Sequence, residues 1–308
     1  MAGDRVDIDS RVRLAAFDWL SKQVKLHGDV LARELLANGF IFEGRRVPLL
    51  GPQGIFKPQI LPEMPLSITT APSRPYDDRF DDEGLLQYRY RGADPKHHDN
   101  VGLRKSMIRH VPLVYLHGVV PGKYLAVWPV FVVGDSPHEL TFKVAADDPQ
   151  YLYTLTSEAD YAISDIHDEA RRAYITSVVR QRLHQRGFRE RVLHAYREQC
   201  ACCRLKHLEL LDAAHIMPDT HPEGVPSVCN GIALCKLHHA AFDTNFLGIR
   251  PDYIIEIRRD ILEEDDGPML IHGLKSLNRQ RITLPSPRRF FPDPGLLEQR
   301  YALYQASL

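Results

Sequence analysis

The densest group of side chains able to bind metal lies between residues 200 and 238. Cys200 and Cys203 form a C-x-x-C pair, and Cys235 and His238 form a C-x-x-H pair. Each pair can form a tight knuckle, and two such pairs supply the four donors of a tetrahedral zinc site. Because four protein ligands leave no open coordination position, we expect this Zn²⁺ to be structural.

The distribution of cysteines supports a metal site rather than disulfides. All five cysteines fall between Cys200 and Cys235. A secreted disulfide scaffold would spread its cysteines along the chain, and an odd number would leave one unpaired. Clustering beside histidines indicates metal binding in a reducing compartment instead. Cys202 and Cys229 are left over, and we interpret them as packing residues.

The overall composition is that of an ordinary globular protein. The chain has 308 residues, 44% of them hydrophobic and 26% charged, and its net charge is −1. This length accommodates two domains of roughly 100–150 residues each. No stretch approaches the ~18 apolar residues that span a bilayer, and the N-terminal segment lacks an apolar signal region. We therefore expect a soluble, cytoplasmic protein with no membrane partner.

The sequence between the two knuckles resembles the HNH nuclease family. In that family, a strand ending in A-H-I is followed by N-G-x-x-L-C and then by a helix with H-x-x-x-D or H-x-x-x-H. The matching residues here are His215, Asn230, His239 and Asp243. The resemblance covers about residues 180–285 and implies a ββα-metal module.

This resemblance implies a role for each matching residue. His215 would be the general base that takes a proton from the attacking water, which suits a histidine near its ordinary pKa. Asn230 would orient the catalytic loop. His239 and Asp243, four residues apart and so on one helix face, would hold a divalent cation. Mg²⁺ or Mn²⁺ fits such a site, where it would polarise the scissile phosphate.

One position departs from the family pattern. Many relatives carry an aspartate or histidine directly before the general base as a further metal ligand, whereas this chain has Ala214. The full ligand set of the catalytic ion is therefore open. Asp212 is close in sequence, but along a strand its side chain would project to a different place, so we do not count it among the ligands.

The segments outside the cysteine cluster differ in pattern. Residues 11–40 have near-helical apolar spacing, which predicts a helix. Residues 41–150 contain short β-branched and aromatic runs, with turns expected at Gly51-Pro52, Pro121-Gly122 and Gly134-Asp135. This part predicts a curled, mostly antiparallel sheet or barrel with one or two flanking helices.

The region leading into the cysteine cluster is helical in pattern and basic. Between Asp168 and Lys206 there are ten Lys and Arg residues against four Asp and Glu residues. Such a helix would neutralise DNA phosphates without specifying sequence. After residue 250, strand-like runs (YIIEIRR, MLIHGL and RITLP) precede a final helix around Pro294–Gln305.

Residues 67–133 partially resemble the SRA branch of the PUA-like superfamily, which reads modified cytosine by flipping the base out of the duplex. The residues corresponding to the base pocket are Tyr76, Asp77, Asp78, Tyr88 and Tyr90. The resemblance implies that Tyr76 and one of the two later tyrosines stack on the base, while an aspartate accepts hydrogen bonds from its amino edge. The alternative is a tyrosine-rich strand pair with an acidic surface turn. Arg74-Pro75 replaces the family's Gly-Gly, which leaves the recognised modification open.

We therefore predict an α+β protein in three parts: an SRA/PUA-like curled β-sheet with flanking helices at 1–150, a helical Arg-rich connector at 151–187, and a zinc-knuckle HNH domain with a C-terminal extension at 188–308. The leading hypothesis is a modification-dependent restriction endonuclease that hydrolyses duplex DNA containing 5-methyl- or 5-hydroxymethylcytosine. Because one HNH site cuts one strand, we expect a homodimer. Two alternatives remain: a non-catalytic zinc-knuckle DNA-binding protein, and an HNH nuclease whose N-terminal domain reads something else.

Overall fold

The computed structural model describes residues 3–72, 79–80, 85–147, 165–265 and 267–307. The chain divides into two compact units, Met1–Leu183 and His184–Leu308. Both units combine helices with β-sheet, so the α+β class predicted from the sequence is confirmed. No helix within the described ranges is long and apolar enough to cross a bilayer.

The first unit is built from a sheet with helices alongside. Its helices are α1 (Gly3–His27), α2 (Arg33–Asn38) and α3 (His98–Ile108). Its strands are β1 (Val30–Ala32), β2 (Phe40–Phe42), β3 (Arg45–Val47), β4 (Ile55–Phe56), β5 (Ser67–Thr70), β6 (Arg79–Phe80), β7 (Leu86–Arg89), β8 (Leu113–Val120), β9 (Lys123–Ser136) and β10 (Thr141–Ala146). A long helix, α4 (Asp165–Ala195), begins in the first unit and ends in the second.

Eight of the described strands form one mostly antiparallel sheet. Seven follow the order β4-β5-β8-β9-β10-β7-β6, and β1 pairs with β9 off this path. The β5–β8 pair is parallel, and the other pairings described in this sheet are antiparallel. The register shifts within β8–β9 and within β9–β10. Such irregularities bend strands and increase local twist, which agrees with the curled sheet expected from the sequence.

Helix α1 is fixed to this unit by apolar packing and by one buried ion pair. Val12 and Leu20 are fully buried in the core beside the sheet. The Arg13 guanidinium, also buried, binds the Asp9 carboxylate and donates to the carbonyl oxygens of Pro65 (2.9 Å) and Pro112 (3.0 Å). These partners satisfy a charge that would otherwise be costly to bury.

Two boundaries predicted for the first unit are wrong. The single helix expected over residues 11–40 ends at His27, because Gly28 takes a positive φ of 80° and the chain then enters β1 and α2. The turn expected at Gly134-Asp135 is absent, since β9 runs through to Ser136. A side chain at Gly134 would press on Lys143 of β10, so this glycine serves close strand packing instead of a turn.

The second unit surrounds a small hairpin with short helices. After α4, its strands are β11 (Leu211–His215), β12 (Gly231–Cys235), β13 (Leu247–Ile249) and β14 (Ile255–Ile257), and its helices are α5 (Lys236–Asp243), α6 (Arg259–Glu263), α7 (Pro268–Gly273) and α8 (Pro294–Gln305). β11 pairs antiparallel with β12, and β13 pairs antiparallel with β14.

The C-terminal part of the second unit confirms two sequence predictions and corrects two. The strand-like run YIIEIRR contains β14. The final helix begins at Pro294, where the Asp293 side chain accepts hydrogen bonds from two backbone N–H groups. The run MLIHGL was expected to be a strand, but it forms α7, which has Pro268 in its first turn after Gly267. The run RITLP forms only an isolated bridge between Ile254 and Arg281.

Candidate active site and metal centre

The site is assembled from two antiparallel strands and the helix that follows them. In the hairpin, Leu211 lies opposite Cys235 and His215 lies opposite Gly231. Helix α5 begins directly after Cys235, so the hairpin and the helix share one zinc-knuckle residue as their junction. This ββα order places one group of chemical side chains at each end of the hairpin.

At one end, four side chains from the two knuckles converge. Nδ1 of His238 lies 3.4 Å from Sγ of Cys200 and 3.1 Å from Sγ of Cys235. The Sγ atoms of Cys203 and Cys235 are 4.0 Å apart, and all four donor atoms lie within 4.8 Å of one another. Donors bound to one tetrahedral zinc ion are roughly 3.4–3.8 Å apart, given Zn–S distances of about 2.3 Å. The residues therefore fit a Cys₃His zinc site.

The orientation of His238 also fits this site. Its Nε2 atom lies 2.7 Å from the backbone oxygen of Gly273 in α7. Because a carbonyl oxygen only accepts, Nε2 must carry the proton, which leaves the Nδ1 lone pair facing the thiols. Metal-binding histidines characteristically donate their second N–H to such an acceptor.

The thiols perturb each other's proton affinity. Hydrogen bonds from Cys202, Cys203 and Cys235 lower the pKa of Cys200. Hydrogen bonding with Cys200 and Cys235 raises the pKa of Cys203. Crowded thiols that compete for protons in this way are suited to a cation, because metal binding displaces those protons.

His215 lies at the other end of the hairpin, on the last residue of β11. Its ring stacks on Phe188 of α4, with ring centres 3.9 Å apart and planes inclined by 12°. Gly231 makes this contact possible, because a Cβ there would lie 2.4 Å from Val192 and 2.9 Å from Phe188. The absence of a side chain therefore allows α4 to approach the hairpin and support the His215 ring.

The environment of His215 suits a proton acceptor. Burial lowers its pKa, while the charges of Asp219 and Asp243 raise it and that of His239 lowers it further. Within the described part of the chain, its Nε2 atom is buried and has no hydrogen-bond partner. The imidazole is therefore neutral near pH 7 and retains an unused nitrogen.

Asn230 connects the two ends of the loop that follows His215. Its side chain is fully buried, and Oδ1 accepts a hydrogen bond from the Met217 N–H at 2.9 Å. Nδ2 donates to the backbone oxygens of Met217 (2.9 Å) and Val225 (3.1 Å). These bonds fix the loop entrance two residues beyond His215, where the expected orienting role requires an anchor.

His239 and Asp243 lie one turn apart on α5. Nε2 of His239 is 3.3 Å from Oδ2 of Asp243, and these side chains are 24% and 60% exposed. Ala214 is buried and supplies no donor. In the described ranges, groups of three or more close ligands occur at the knuckles and at His97–Asp99, and His239 and Asp243 belong to neither group. Two protein ligands suit Mg²⁺ or Mn²⁺, which keep waters and bind phosphate oxygens.

Comparison with known proteins agrees with this geometry. Residues 200–250 match the sequence profile of the family described as HNH endonuclease. The chain contains an HNH endonuclease domain. This confirms the nuclease module expected from the sequence and makes the protein a nuclease.

Two further comparisons add little to this result. Among solved structures, the chain is similar to one titled "Modification dependent TagI restriction endonuclease". The two share 14% identity, the match covers 78% of this chain and 82% of the other, and the TM-score is 0.29. No curated protein matches the chain in sequence.

The compact unit His184–Leu308 extends beyond the matched residues, and its later segments hold helix α5 in place. Gly273 accepts the hydrogen bond from His238. Near the other end of α5, Arg300 of α8 donates to the Phe242 oxygen (2.5 Å) and to Asn245 Oδ1 (2.6 Å). The C-terminal segment is therefore a structural support for the helix that carries His238 and His239.

Two residues around the HNH site, Phe188 and Gly273, were not predicted from the sequence, and a third, Asp212, was expected to project elsewhere. The spacing of Phe188, Val192 and Tyr196 placed them on one helix face, which was a usable signal for packing against the hairpin. Asp212 lies 3.8 Å from Nδ1 of His239, a contact that strand alternation did not indicate. No sequence pattern marked Gly273, because it acts through its backbone.

The residues expected to read a base lie in the first unit. Tyr76, Asp77 and Asp78 are outside the described residues. Tyr88 is buried and donates to the Thr69 oxygen at 3.2 Å. Tyr90 is buried, stacks on Phe142 at 4.5 Å, donates to Asp135 and accepts from Arg104 at 3.0 Å. Both described rings contact protein groups, and their stacking on a base stays a prediction.

Proposed function

We propose that this protein is a DNA endonuclease that hydrolyses phosphodiester bonds in duplex DNA at the HNH site. The observation that carries the proposal is the unpartnered, buried Nε2 of His215, which lies within electrostatic reach of His239 and Asp243. A neutral imidazole beside a cation-binding pair provides a base and a place for the phosphate. A purely structural zinc module needs neither.

In this proposal, each residue has a defined task. His215 takes the proton from the attacking water, and Phe188 holds the ring in position by stacking. Asn230 keeps the end of β11 fixed against the following loop. His239 and Asp243 hold one divalent cation, Mg²⁺ or Mn²⁺. When bound, that cation supplies Lewis-acid stabilisation of the charge on the phosphate and on the leaving oxygen.

The zinc knuckles have a separate task. Cys200, Cys203, Cys235 and His238 hold structural Zn²⁺, which closes the module around a hairpin of two short strands. A unit with such short strands gains folding free energy directly from metal binding. The active site therefore depends on zinc indirectly, through the position of α5.

We further propose that residues 1–150 select the DNA target by reading modified cytosine and that residues 151–187 contact phosphates. The partial resemblance over residues 67–133 supports this reading, together with a curled sheet of the kind that such readers use. The proposed pocket residues are Tyr76, Asp77, Asp78, Tyr88 and Tyr90. Their task is to stack on the flipped base and to accept hydrogen bonds from its amino edge.

One cleavage experiment tests both levels of the proposal. The purified protein is incubated with Mg²⁺ or Mn²⁺ and with matched duplexes that carry cytosine, 5-methylcytosine or 5-hydroxymethylcytosine. We expect metal-dependent cleavage that is faster on a modified duplex. Equal cleavage of all three would remove the modification reader but keep the nuclease, whereas no cleavage of any DNA would contradict the nuclease itself.

The expected homodimer needs its own measurement. One HNH site cuts one strand, so a double-strand break in a single encounter requires two copies. Analytical ultracentrifugation with and without DNA is expected to show a dimer in at least the bound state. A monomer on DNA that only nicks the duplex would contradict the dimer and leave the chemistry unchanged.

A further inference from the structure

We propose that Asp212 is a positioning residue for the catalytic cation. Its carboxylate faces Nδ1 of His239, and in the complex with cation and DNA it would accept a hydrogen bond from Nδ1–H, which directs the Nε2 lone pair of His239 towards the ion. The proposal rests on the proposed nuclease function and names a residue that the HNH motif does not include.

His239 lies between two carboxylates on opposite sides of its ring. Nδ1 is 3.8 Å from Oδ2 of Asp212, and Nε2 is 3.3 Å from Oδ2 of Asp243. A neutral imidazole carries a proton on one nitrogen and a lone pair on the other. The carboxylate that accepts the proton therefore determines which nitrogen can bind metal.

The two carboxylates differ in how they are held. Asp243 is 60% exposed on α5 and shares the helix face of His239, so a hydrated cation can reach it. Asp212 is held by the Lys236 ammonium at 3.0 Å, the Arg189 guanidinium at 3.5 Å and the Ala213 N–H at 2.9 Å. A carboxylate neutralised by two cationic side chains is a poor ligand for a third cation. It remains a good hydrogen-bond acceptor.

Asp212 is also anchored to the rest of the HNH domain. Arg189, which contacts its carboxylate, donates to the backbone oxygens of Leu208 (3.1 Å) and Leu211 (2.9 Å). This arrangement ties α4 to the start of β11. Asp212 therefore presents a fixed acceptor to α5, where His239 requires one.

This arrangement gives a reason for the departure at Ala214. The residue before His215 supplies no ligand, since the Ala214 side chain is a buried methyl group. The β11 carboxylate that does face α5 is Asp212, and it faces the nitrogen of His239 remote from Asp243. The strand thus contributes to the cation site through the histidine and not through direct coordination.

The distance of 3.8 Å between Nδ1 and Oδ2 exceeds an ordinary hydrogen bond. Rotation of the His239 side chain towards the fixed Asp212 carboxylate would bring the two atoms about 0.8 Å closer, into normal N–H···O range. Active-site hydrogen bonds commonly tighten in this way once the reacting complex forms. We therefore expect the bond to be shortest when the cation and DNA are bound.

The experiment compares D212A, D212N and the matched control K236A in the full-length, zinc-loaded protein. K236A removes one of the two ion pairs that Asp212 makes with lysine and arginine, and it leaves the Arg189 pair and the contact with His239. Two readouts are used: Mn²⁺ affinity by electron paramagnetic resonance, and the protonated ring nitrogen of His239 by ¹⁵N–¹H NMR. H239A provides the assignment and the baseline for loss of a ligand.

We expect wild-type His239 to carry its proton on Nδ1. D212A should weaken Mn²⁺ binding roughly 10–100-fold, as loss of an outer-shell partner does, and should shift the ring proton towards Nε2. D212N keeps an oxygen acceptor and the local packing, so it should retain more affinity than D212A. K236A should lose much less affinity than D212A, because Arg189 still holds the Asp212 carboxylate in place.

Several outcomes would overturn the proposal. Unchanged Mn²⁺ affinity and an unchanged ring proton in D212N and D212A would exclude a positioning role. A loss in D212A as complete as that in H239A would make Asp212 a ligand. If wild type binds no Mn²⁺ through His239, the proposed cation site itself fails. Binding that requires His239 but not Asp212 would reject this inference alone.

Discussion

His238 and His239 are neighbours in the chain, yet they face different metal environments. His238 is buried, faces three thiols and donates its second N–H to the Gly273 oxygen. His239 is 24% exposed and lies between two carboxylates. Adjacent residues of a helix point about 100° apart, so one turn of α5 serves both sites. Burial and donor type therefore separate the zinc site from the proposed cation site.

Removal of a zinc ligand should have the largest effect on the protein. Cys203→Ser removes one of four ligands, and structural zinc contributes about 10–16 kcal/mol in small zinc modules. We expect loss of zinc and of cooperative unfolding of the second unit, measured by metal analysis and thermal denaturation. Cys229→Ser is the matched control, because Cys229 bonds the Arg289 oxygen outside the cluster. A zinc-loaded, stable Cys203→Ser protein would reject the ligand assignment.

His215 should account for the next largest effect. His215→Ala should reduce cleavage roughly 10²–10⁴-fold, the usual contribution of a general base, with zinc content and DNA binding retained. Burial lowers the pKa of His215, so wild-type activity should persist somewhat below the ordinary histidine pKa and fall as acid protonates the ring. The measurement is a pH–rate profile on one duplex. An acid limb that persists in His215→Ala would assign it to another group.

The paired variants His238→Ala and His239→Ala sharpen the comparison directly. His238→Ala should lose both its zinc and its folded structure in the second unit. His239→Ala should keep both while weakening Mn²⁺ binding by more than the roughly 10–100-fold typical of outer-shell changes. Metal analysis, circular dichroism and Mn²⁺ titration distinguish the two results. Similar behaviour of the two variants would show that α5 does not divide its histidines between two ions.

Gly231→Ala should have the smallest effect. The added methyl group meets Val192 at 2.4 Å and Phe188 at 2.9 Å, and overpacking of this kind costs about 1–3 kcal/mol. We expect a lower melting temperature with zinc retained, and a fall in cleavage larger than the fall in Mn²⁺ affinity, because the Phe188–His215 stack is displaced. Wild-type cleavage in a destabilised variant would separate that stack from the chemistry.

The sequence predicted best where chemistry follows local spacing. Short sequence patterns predicted the two knuckles, the final helix at Pro294 and the two strands joined by a turn at Gly122. The structure confirms all of these elements. The helix predicted over residues 11–40 failed because Gly28 ends α1 and the next residues pair with β9.

Contacts between distant residues were not predictable in this way. The ring stack between Phe188 and His215 joins residues 27 positions apart in the chain. The hydrogen bond from His238 to the Gly273 oxygen joins residues 35 positions apart. The run MLIHGL forms a helix because Gly267 and Pro268 favour a helix start at this point. The same helix, α7, then supplies the Gly273 backbone oxygen that contacts His238. An apolar run alone does not distinguish these outcomes.

The hydrogen bond from His238 to Gly273 has a practical consequence for modular engineering. A transplant of residues 200–250 into another host would carry all four zinc ligands and the catalytic residues but not the carbonyl that orients one of those ligands. The shortest segment that could be transferred with this site intact should therefore run from α4 through α8. Arg300 of α8 is needed as well, because it donates a hydrogen bond to the Phe242 oxygen near the end of α5.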